Sequence, residues 1–283
     1  MNRFKISSCT ANYGTADLIK ILRRLSELEY DGAELTTMYH CAPAETDAKR
    51  RTEIRQAAQQ LNLEISGLHY IYPPGGSMVS DDSSERDAIA RHTESVIQLA
   101  HDLGCKIVVV GGSRQRSVSA SMDRELGVNR VLEVLSRIAK SAEKYGVVAC
   151  FEAHNRYESN LANTLDECSR YVDQINSPAL KIAGDTYHMN IEEKSLDGAI
   201  ISAGSRIGHM HLPDSHRLAP GDGHIDFSAI LAALRRINFA GYLSFEMFGI
   251  TPEMMYLPTF DLCDDEVRKG IKHIRQVESS LVS

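Results

Sequence analysis

Short apolar runs alternate with longer amphipathic segments along the whole chain. The runs Phe4–Cys9, Gly32–Leu35, Leu63–His69, Lys106–Gly111, Val147–His154, Leu180–Asp185, Ile207–Leu212 and Tyr242–Phe248 have the length and boundaries of buried strands. Between them, apolar residues recur at helical spacing. Leu18, Ile21, Leu22 and Leu25 fall at i, i+3, i+4 and i+7, as do Val131, Val134, Leu135 and Ile138, and Ile230, Ala233, Leu234 and Ile237. Thr15, Ser83, Thr164 and Asp226 stand where helix N-caps belong. Asn62, Gly104 and Gly146 stand where the chain must leave a helix in a left-handed turn.

Eight strand–helix units in strict alternation call for a parallel sheet. No G-x-G-x-x-G follows the first strand, and Gly111-Gly112 after the fourth is a lone pair. The count of eight, and a length of 283 residues against the ~250 typical of a closed α/β barrel, favour a (β/α)₈ (TIM) barrel over an open sheet. One such domain accounts for residues 1–283, with no linker or change of composition inside it. Thr251–Leu262, with Met254, Met255 and Tyr256, reads as an irregular connection that forms a lid or a subunit contact.

Composition narrows the class. The chain is 43% hydrophobic and 24% charged, enough to build a large core. A net charge of −7 with no block of Lys or Arg argues against nucleic acid as a partner. No apolar run is long enough to span a membrane, and MNRFKISSCT does not read as a signal peptide. Six scattered cysteines without a C-x-x-C pair fit reduced thiols in a cytoplasmic protein. Cys105 and Cys150 adjoin apolar runs and read as core.

The chemistry collects at strand ends, where a barrel of this kind carries its active site. The fifth strand ends in Glu152 and His154, the sixth in Asp185; the seventh carries His209 and His211, the eighth Glu246. A carboxylate in an apolar strand is costly to bury unless it is paired or binds a metal. Glu152, Asp185, His211 and Glu246 follow one another at intervals of one strand–helix unit, so all four converge on one mouth. Three carboxylates and one imidazole make a hard site suited to Mn²⁺ or Mg²⁺, with Co²⁺ tolerated. His209 lies two residues before His211 and faces the same side, as a hydrogen-bonded support beneath it. His154 has the same relation to Glu152, and Glu34 reads as structural or supporting. Glu158, His188 and Arg217 lie just past strand ends, with APGDG following Arg217. Glu192, Glu193, His92 and His101 read as solvated.

The segments FEAHNRYESNLANT, GDTYHMNIEE, GHMHLPDSHRLAPGDGHIDF and LSFEMF together resemble the ketose 3-epimerase family, which includes D-tagatose and D-allulose (psicose) 3-epimerases, within the xylose-isomerase-like barrels. The matching motifs span residues 147–248. The resemblance implies a (β/α)₈ barrel, metal ligands at Glu152, Asp185, His211 and Glu246, and substrate-binding residues at Glu158, His188 and Arg217. It also implies a homodimer or homotetramer. Pro213-Asp214 replaces the Gly-Glu usual in that family, and SDDSSERDAIA keeps only part of its pattern. NRYES and DSHRLAPGDGHIDF also resemble branches that act on keto-sugar acids or oxidised glycosides.

The expected reaction is inversion of the carbon beside a carbonyl through an enediolate, with Glu152 and Glu246 as the bases on its two faces. Three alternatives share some of these features. An aldose–ketose or hydroxypyruvate-type isomerase would use the same ligands and return the proton to the neighbouring carbon. An endonuclease IV-like phosphodiesterase would need more His and Asp ligands and a basic groove. A sugar-binding module would not need two bases.

Overall fold

A computed structural model describes residues 3–73, 75–247 and 259–281. The eight strands are β1 (Lys5–Cys9), β2 (Gly32–Thr36), β3 (Glu64–His69), β4 (Ile107–Val110), β5 (Val148–Glu152), β6 (Leu180–Asp185), β7 (Ile207–His211) and β8 (Tyr242–Phe245). Each pairs in parallel with the next, and β8 pairs with β1 from Lys5↔Tyr242 to Ser8↔Phe245. The sheet is therefore closed, and all eight strands deliver their C-terminal ends to one rim.

Helices cover the outside because their apolar stripes match the spacing in the sequence. Leu18, Ile21, Leu22 and Leu25 are the buried face of helix Leu18–Glu27. Each such side chain contributes about 1.5–3 kcal/mol by leaving water. Gly104 and Gly146 end their helices at φ 76° and 63°, and Thr164 and Asp226 cap theirs by accepting from Glu167 N and Ala229 N. Two expected caps are displaced. Asp17, not Thr15, caps the first of these helices, and Asp82, not Ser83, caps helix Ser83–Leu103. In each case a carboxylate lies between the hydroxyl residue and the helix or directly before it, and an anionic acceptor suits the helix N-terminus. Thr259 caps a helix that starts at Phe260, so 260–262 are helical and not part of an irregular connection. The rest of the Thr251–Leu262 expectation falls on residues 251–258, outside the described ones.

Two irregularities in the sheet aim side chains inward. Between β2 and β3 the register jumps from Ala33↔Ile65 to Glu34↔Gly67. A bulge of this kind re-aims the side chain beside it. Gly67 is the residue that makes room, since a Cβ there would lie 3.0 Å from Glu34 Oε1. Between β6 and β7 the register jumps from Ile182↔Ile207 to Ala183↔His209, which sets Asp185 beside His211.

The last helix is tied to the first strand by a compact ionic cluster. Arg275 donates to Phe4 O (2.7 Å), Glu278 Oε2 (3.0 Å) and Asp31 Oδ2 (2.6 Å). Glu278, itself buried, accepts from Phe4 N, and Asp31 accepts from Ile6 N. Removing the guanidinium would leave the buried Glu278 with only the Phe4 N–H and, at 3.9 Å, Arg235. Arg275→Ala should therefore lose about 2–4 kcal/mol of stability, measured by urea unfolding. A loss below about 0.5 kcal/mol, the range of ordinary surface changes, would show that the cluster does not hold the chain's two ends together.

Candidate active site and metal centre

Asp185, His211, Glu152 and Glu246 meet at the rim of the barrel, all buried. Around His211 Nδ1 lie Glu152 Oε1 at 3.0 Å, Glu246 Oε2 at 3.3 Å and Asp185 Oδ2 at 3.9 Å. Asp185 divides its oxygens between two tasks. Oδ1 accepts from Tyr187 N (2.8 Å) and His188 N (3.1 Å), capping the short helix that follows β6. Oδ2 is buried and has no hydrogen-bond partner among the described residues. Glu152 likewise turns Oε1 to the centre and Oε2 outward, where it contacts His154 Nε2 at 2.8 Å. A side chain at Gly111 would crowd this carboxylate, its Cβ falling 2.9 Å from Oε2.

Glu34 sets the state of His211 from behind. Its Oε2 lies 3.1 Å from His211 Nε2 and accepts from Ser244 Oγ at 3.0 Å. Its Oε1 lies 2.8 Å from His209 Nε2. A carboxylate against Nε2 takes that nitrogen's proton as a hydrogen bond, which leaves the Nδ1 lone pair facing three carboxylate oxygens. That arrangement is repulsive until a proton or a cation sits among them. The electrostatics carry the same message. Burial, then the charge on Glu246, pushes the Asp185 carboxyl well above its usual range. Burial works against the charge on Glu152, but His154 and His211 outweigh it and hold that carboxyl well below. Burial also works against a charged His211, yet Glu34 and Glu246 raise its pKa well above the ordinary value. The four residues thus fit a divalent cation by donor type, burial and the unpartnered Asp185 oxygen.

Glu158, His188 and Arg217 form a second cluster on the same rim. Arg217 donates to Glu158 Oε1 (3.0 Å) and places Nη2 3.3 Å from His188 Nε2. Asn155 Nδ2 lies 2.7 Å from His188 Nδ1. An amide donating to Nδ1 leaves the proton on Nε2, beside the guanidinium, so two donors point at one place. Burial, with His154 and Arg217 adding to it, holds His188 well below its ordinary pKa, in the neutral form this requires. Arg217 has φ 68°. Its loop is pinned by Asp214, which accepts from Ser215 N (2.7 Å), Gly221 N (2.8 Å) and Ile225 N (3.2 Å).

Some expectations need correction. Glu192 and Glu193 are not solvated. Both carboxylate oxygens of Glu192 accept from the Arg156 guanidinium, Oε1 also accepts from the Arg156 backbone N–H, and Glu193 accepts from Leu165 N. They clamp the loop that carries Asn155 and Glu158. His92 lies against Ile71 O, half-buried, while His101 is exposed and bound to Tyr145 O. Two site residues escaped sequence reasoning. His69 ends β3 inside the cluster with Glu152, His211 and Glu246; its position at the end of a predicted strand was the available signal. Asn12 follows β1 and braces Glu246, donating to Phe245 O (2.9 Å) and accepting from Met247 N (2.8 Å). Only the fold brings it there, from 234 residues away in the chain.

A closed parallel barrel with a carboxylate–histidine centre at its strand ends defines an enzyme of the α/β-barrel class. Comparison with known proteins makes this specific. The xylose isomerase-like TIM barrel family model matches residues 22–277. The D-psicose 3-epimerase of Enterocloster bolteae is 32% identical over 241 residues, covering 82% of this chain and 77% of that protein. The 3-dehydro-D-guloside 4-epimerase of Escherichia coli is 28% identical over 249 residues, covering 86% and 91%. A crystal structure of a D-psicose 3-epimerase in the presence of D-fructose superposes with a TM-score of 0.85 at 24% identity, covering 96% of this chain and 99% of that one. The chain belongs to the xylose isomerase-like TIM barrel family, among its ketose 3-epimerase relatives, and is a sugar epimerase.

The backing of His211 by Glu34 has a measurable consequence. Supporting partners of metal ligands typically contribute 10–100-fold to affinity or activity. Glu34→Ala should therefore weaken Mn²⁺ binding by about 10–100-fold, read by metal titration of the purified protein. Unchanged affinity would mean that Glu34 does not govern the imidazole.

Proposed function

We propose that the protein inverts the carbon beside the carbonyl of a free ketose or a keto-sugar derivative, using one divalent metal ion and two carboxylate bases. Glu152, Asp185, His211 and Glu246 would hold the ion, Mn²⁺ foremost and Mg²⁺ or Co²⁺ in its place. A cation there would offset negative charge on the substrate's carbonyl and neighbouring hydroxyl oxygens. The observation that carries the reading is the placement of Glu152 and Glu246. They reach the centre from β5 and β8, on either side of β6 and β7, and each turns one oxygen toward His211. One carboxylate removes the proton from the carbon and the other returns one to the opposite face. His188 and Arg217 donate to substrate oxygens as charge develops, and Glu158 accepts from a hydroxyl. Relatives named for D-psicose, L-ribulose and 3-dehydro-D-guloside support a class containing both free ketoses and oxidised glycosides.

We also read the chain as a single-domain, cytoplasmic enzyme of carbohydrate metabolism that works as a homodimer or homotetramer on a small-molecule sugar. Its six cysteines are all buried and unpaired, which suits a reducing compartment. Among the described residues no helix is long and apolar enough to cross a membrane.

The test is a panel of free ketoses, keto-sugar acids and oxidised glycosides incubated with the Mn²⁺-loaded protein in D₂O, with NMR of the products. Epimerisation should place deuterium on the inverted carbon, and prolonged EDTA treatment should abolish turnover until Mn²⁺ is restored. Deuterium at the neighbouring carbon with an aldose product would make the enzyme an aldose–ketose isomerase. Full turnover by protein shown to hold no metal would overturn the metal assignment. Arg217→Ala provides an independent check on the second cluster. Metal content should be normal by elemental analysis, while kcat/KM falls about tenfold to somewhat over a hundredfold, the effect of ~1.5–3 kcal/mol from one lost charged hydrogen bond. An unchanged kcat/KM would remove Arg217 from substrate binding.

A further inference from the structure

His69 has no part in the reaction as described so far, yet it touches both bases. It is the last residue of β3 and is buried, its ring centroid 4.7 Å from that of His211. Its two nitrogens meet different surroundings. Nδ1 faces Glu246 Oε1 at 3.3 Å, Cys9 Sγ at 3.7 Å and Glu34 Oε2 at 4.0 Å. All three atoms can accept, so the N–H of a neutral ring belongs on Nδ1, donated to Glu246. Nε2 is then an acceptor. It lies 3.9 Å from Glu152 Oε2, a second acceptor, and has no donor among the described residues. The oxygens concerned are Oε1 of Glu246 and Oε2 of Glu152, the ones turned away from His211.

The backbone is shaped to hold the ring in this place. Tyr70, directly after His69, has φ 53°, a conformation that is a genuine outlier for a bulky residue and is kept only where the surroundings enforce it. Here Thr37 Oγ1 donates to Tyr70 O at 3.0 Å and fixes the turn.

We propose that His69 is a positioning residue for Glu246 and a binding residue for the substrate. Its Nδ1–H holds the outer oxygen of Glu246 in place, and its Nε2 accepts a hydrogen bond from a substrate hydroxyl next to the reacting carbon. A sugar carries hydroxyls on adjacent carbons, so one can donate to Nε2 and the next to the outer oxygen of Glu152. This gives the two bases unequal partners. His154 fixes the outer oxygen of Glu152 at 2.8 Å from one side, and His69 fixes that of Glu246 from the other while reading the substrate. The inference rests on the epimerase reading above.

Two substitutions separate the two roles. His69→Asn keeps an N–H donor near the position of Nδ1 and removes Nε2; His69→Leu removes both. With D-psicose and L-ribulose as probes, His69→Asn should raise KM about three- to tenfold, the effect of one neutral hydrogen bond, with kcat nearly unchanged. His69→Leu should show a similar rise in KM and lose a further ~10–100-fold in kcat through the loosened carboxylate. Mn²⁺ affinity, measured by titration, should stay at the wild-type value in His69→Asn, which keeps the donor to Glu246, and fall by about 10–100-fold in His69→Leu, which loosens that carboxylate, so kcat is compared at saturating Mn²⁺. Three results would overturn the proposal: an unchanged KM in His69→Asn, equal kcat in the two variants, or Mn²⁺ binding weakened more than about tenfold in His69→Asn, which would make His69 a ligand of the metal. If His69→Leu fails to fold, the KM and Mn²⁺ results for His69→Asn decide. A wild-type protein that exchanges no solvent deuterium into either probe or any sugar of the panel fails at the epimerase reading itself and takes this inference with it.

Discussion

Three buried carboxylate oxygens gathered around one imidazole nitrogen are the constraint from which the rest of this molecule follows. Such a group is repulsive by itself, and burial makes the repulsion stronger because little water is present to screen it. The barrel is what makes the arrangement tolerable. Glu152, Asp185 and His211 end three adjacent strands and Glu246 directly follows the fourth, so the ladder fixes where their backbones stand relative to one another. The sheet's hydrogen bonds and the helices packed outside it keep these backbones in place.

Support for the centre comes in layers. Glu34 holds His211, and Ser244 holds Glu34. His154 holds Glu152, Asn12 holds the backbone on both sides of Glu246, and the first turn of the helix after β6 holds Asp185. Each carboxylate at the centre therefore has one oxygen or its backbone fixed from outside, which sets the direction of the other oxygen. A reaction that moves a proton between two faces of a carbon depends on such direction, because a small misplacement of the reacting groups is costly.

Much of this was legible in the chain. The alternation of apolar runs and helical stripes gave the eight strands to within a few residues, because parallel strands in a barrel are covered on both sides and stay apolar throughout. The central residues were legible for the opposite reason: Glu152, Asp185, His211 and Glu246 are polar where the pattern demands apolar. His69 ends its strand just as Glu152, Asp185 and His211 end theirs, but it lies on β3, outside the run of four adjacent strands whose even spacing marks the others. Asn12, Asp214 and the Arg156–Glu192 clamp could not be read, because their meaning lies in contacts between segments far apart in the chain or in backbone groups that carry no sequence signature. The caps at Asp17 and Asp82 went to carboxylates because the helix dipole weighs charge, which a search for hydroxyls beside an apolar stripe overlooks.

The loop from Pro213 to Ile225 is gathered by one of its own residues and tied to its surroundings by Thr186, Glu266 and Lys269. Asp214 gathers three of its backbone N–H groups, and Arg217 is presented at the tip of that closed curve. Asp214 sets the outline of the loop, so the positions that make neither its hydrogen bonds nor the ties to Thr186, Glu266 and Lys269 are the ones that can be exchanged without rebuilding the barrel wall. On a scaffold whose centre is anchored to four adjacent strands, descent with change of substrate would then fall first on such rim positions, leaving the buried centre as it was inherited.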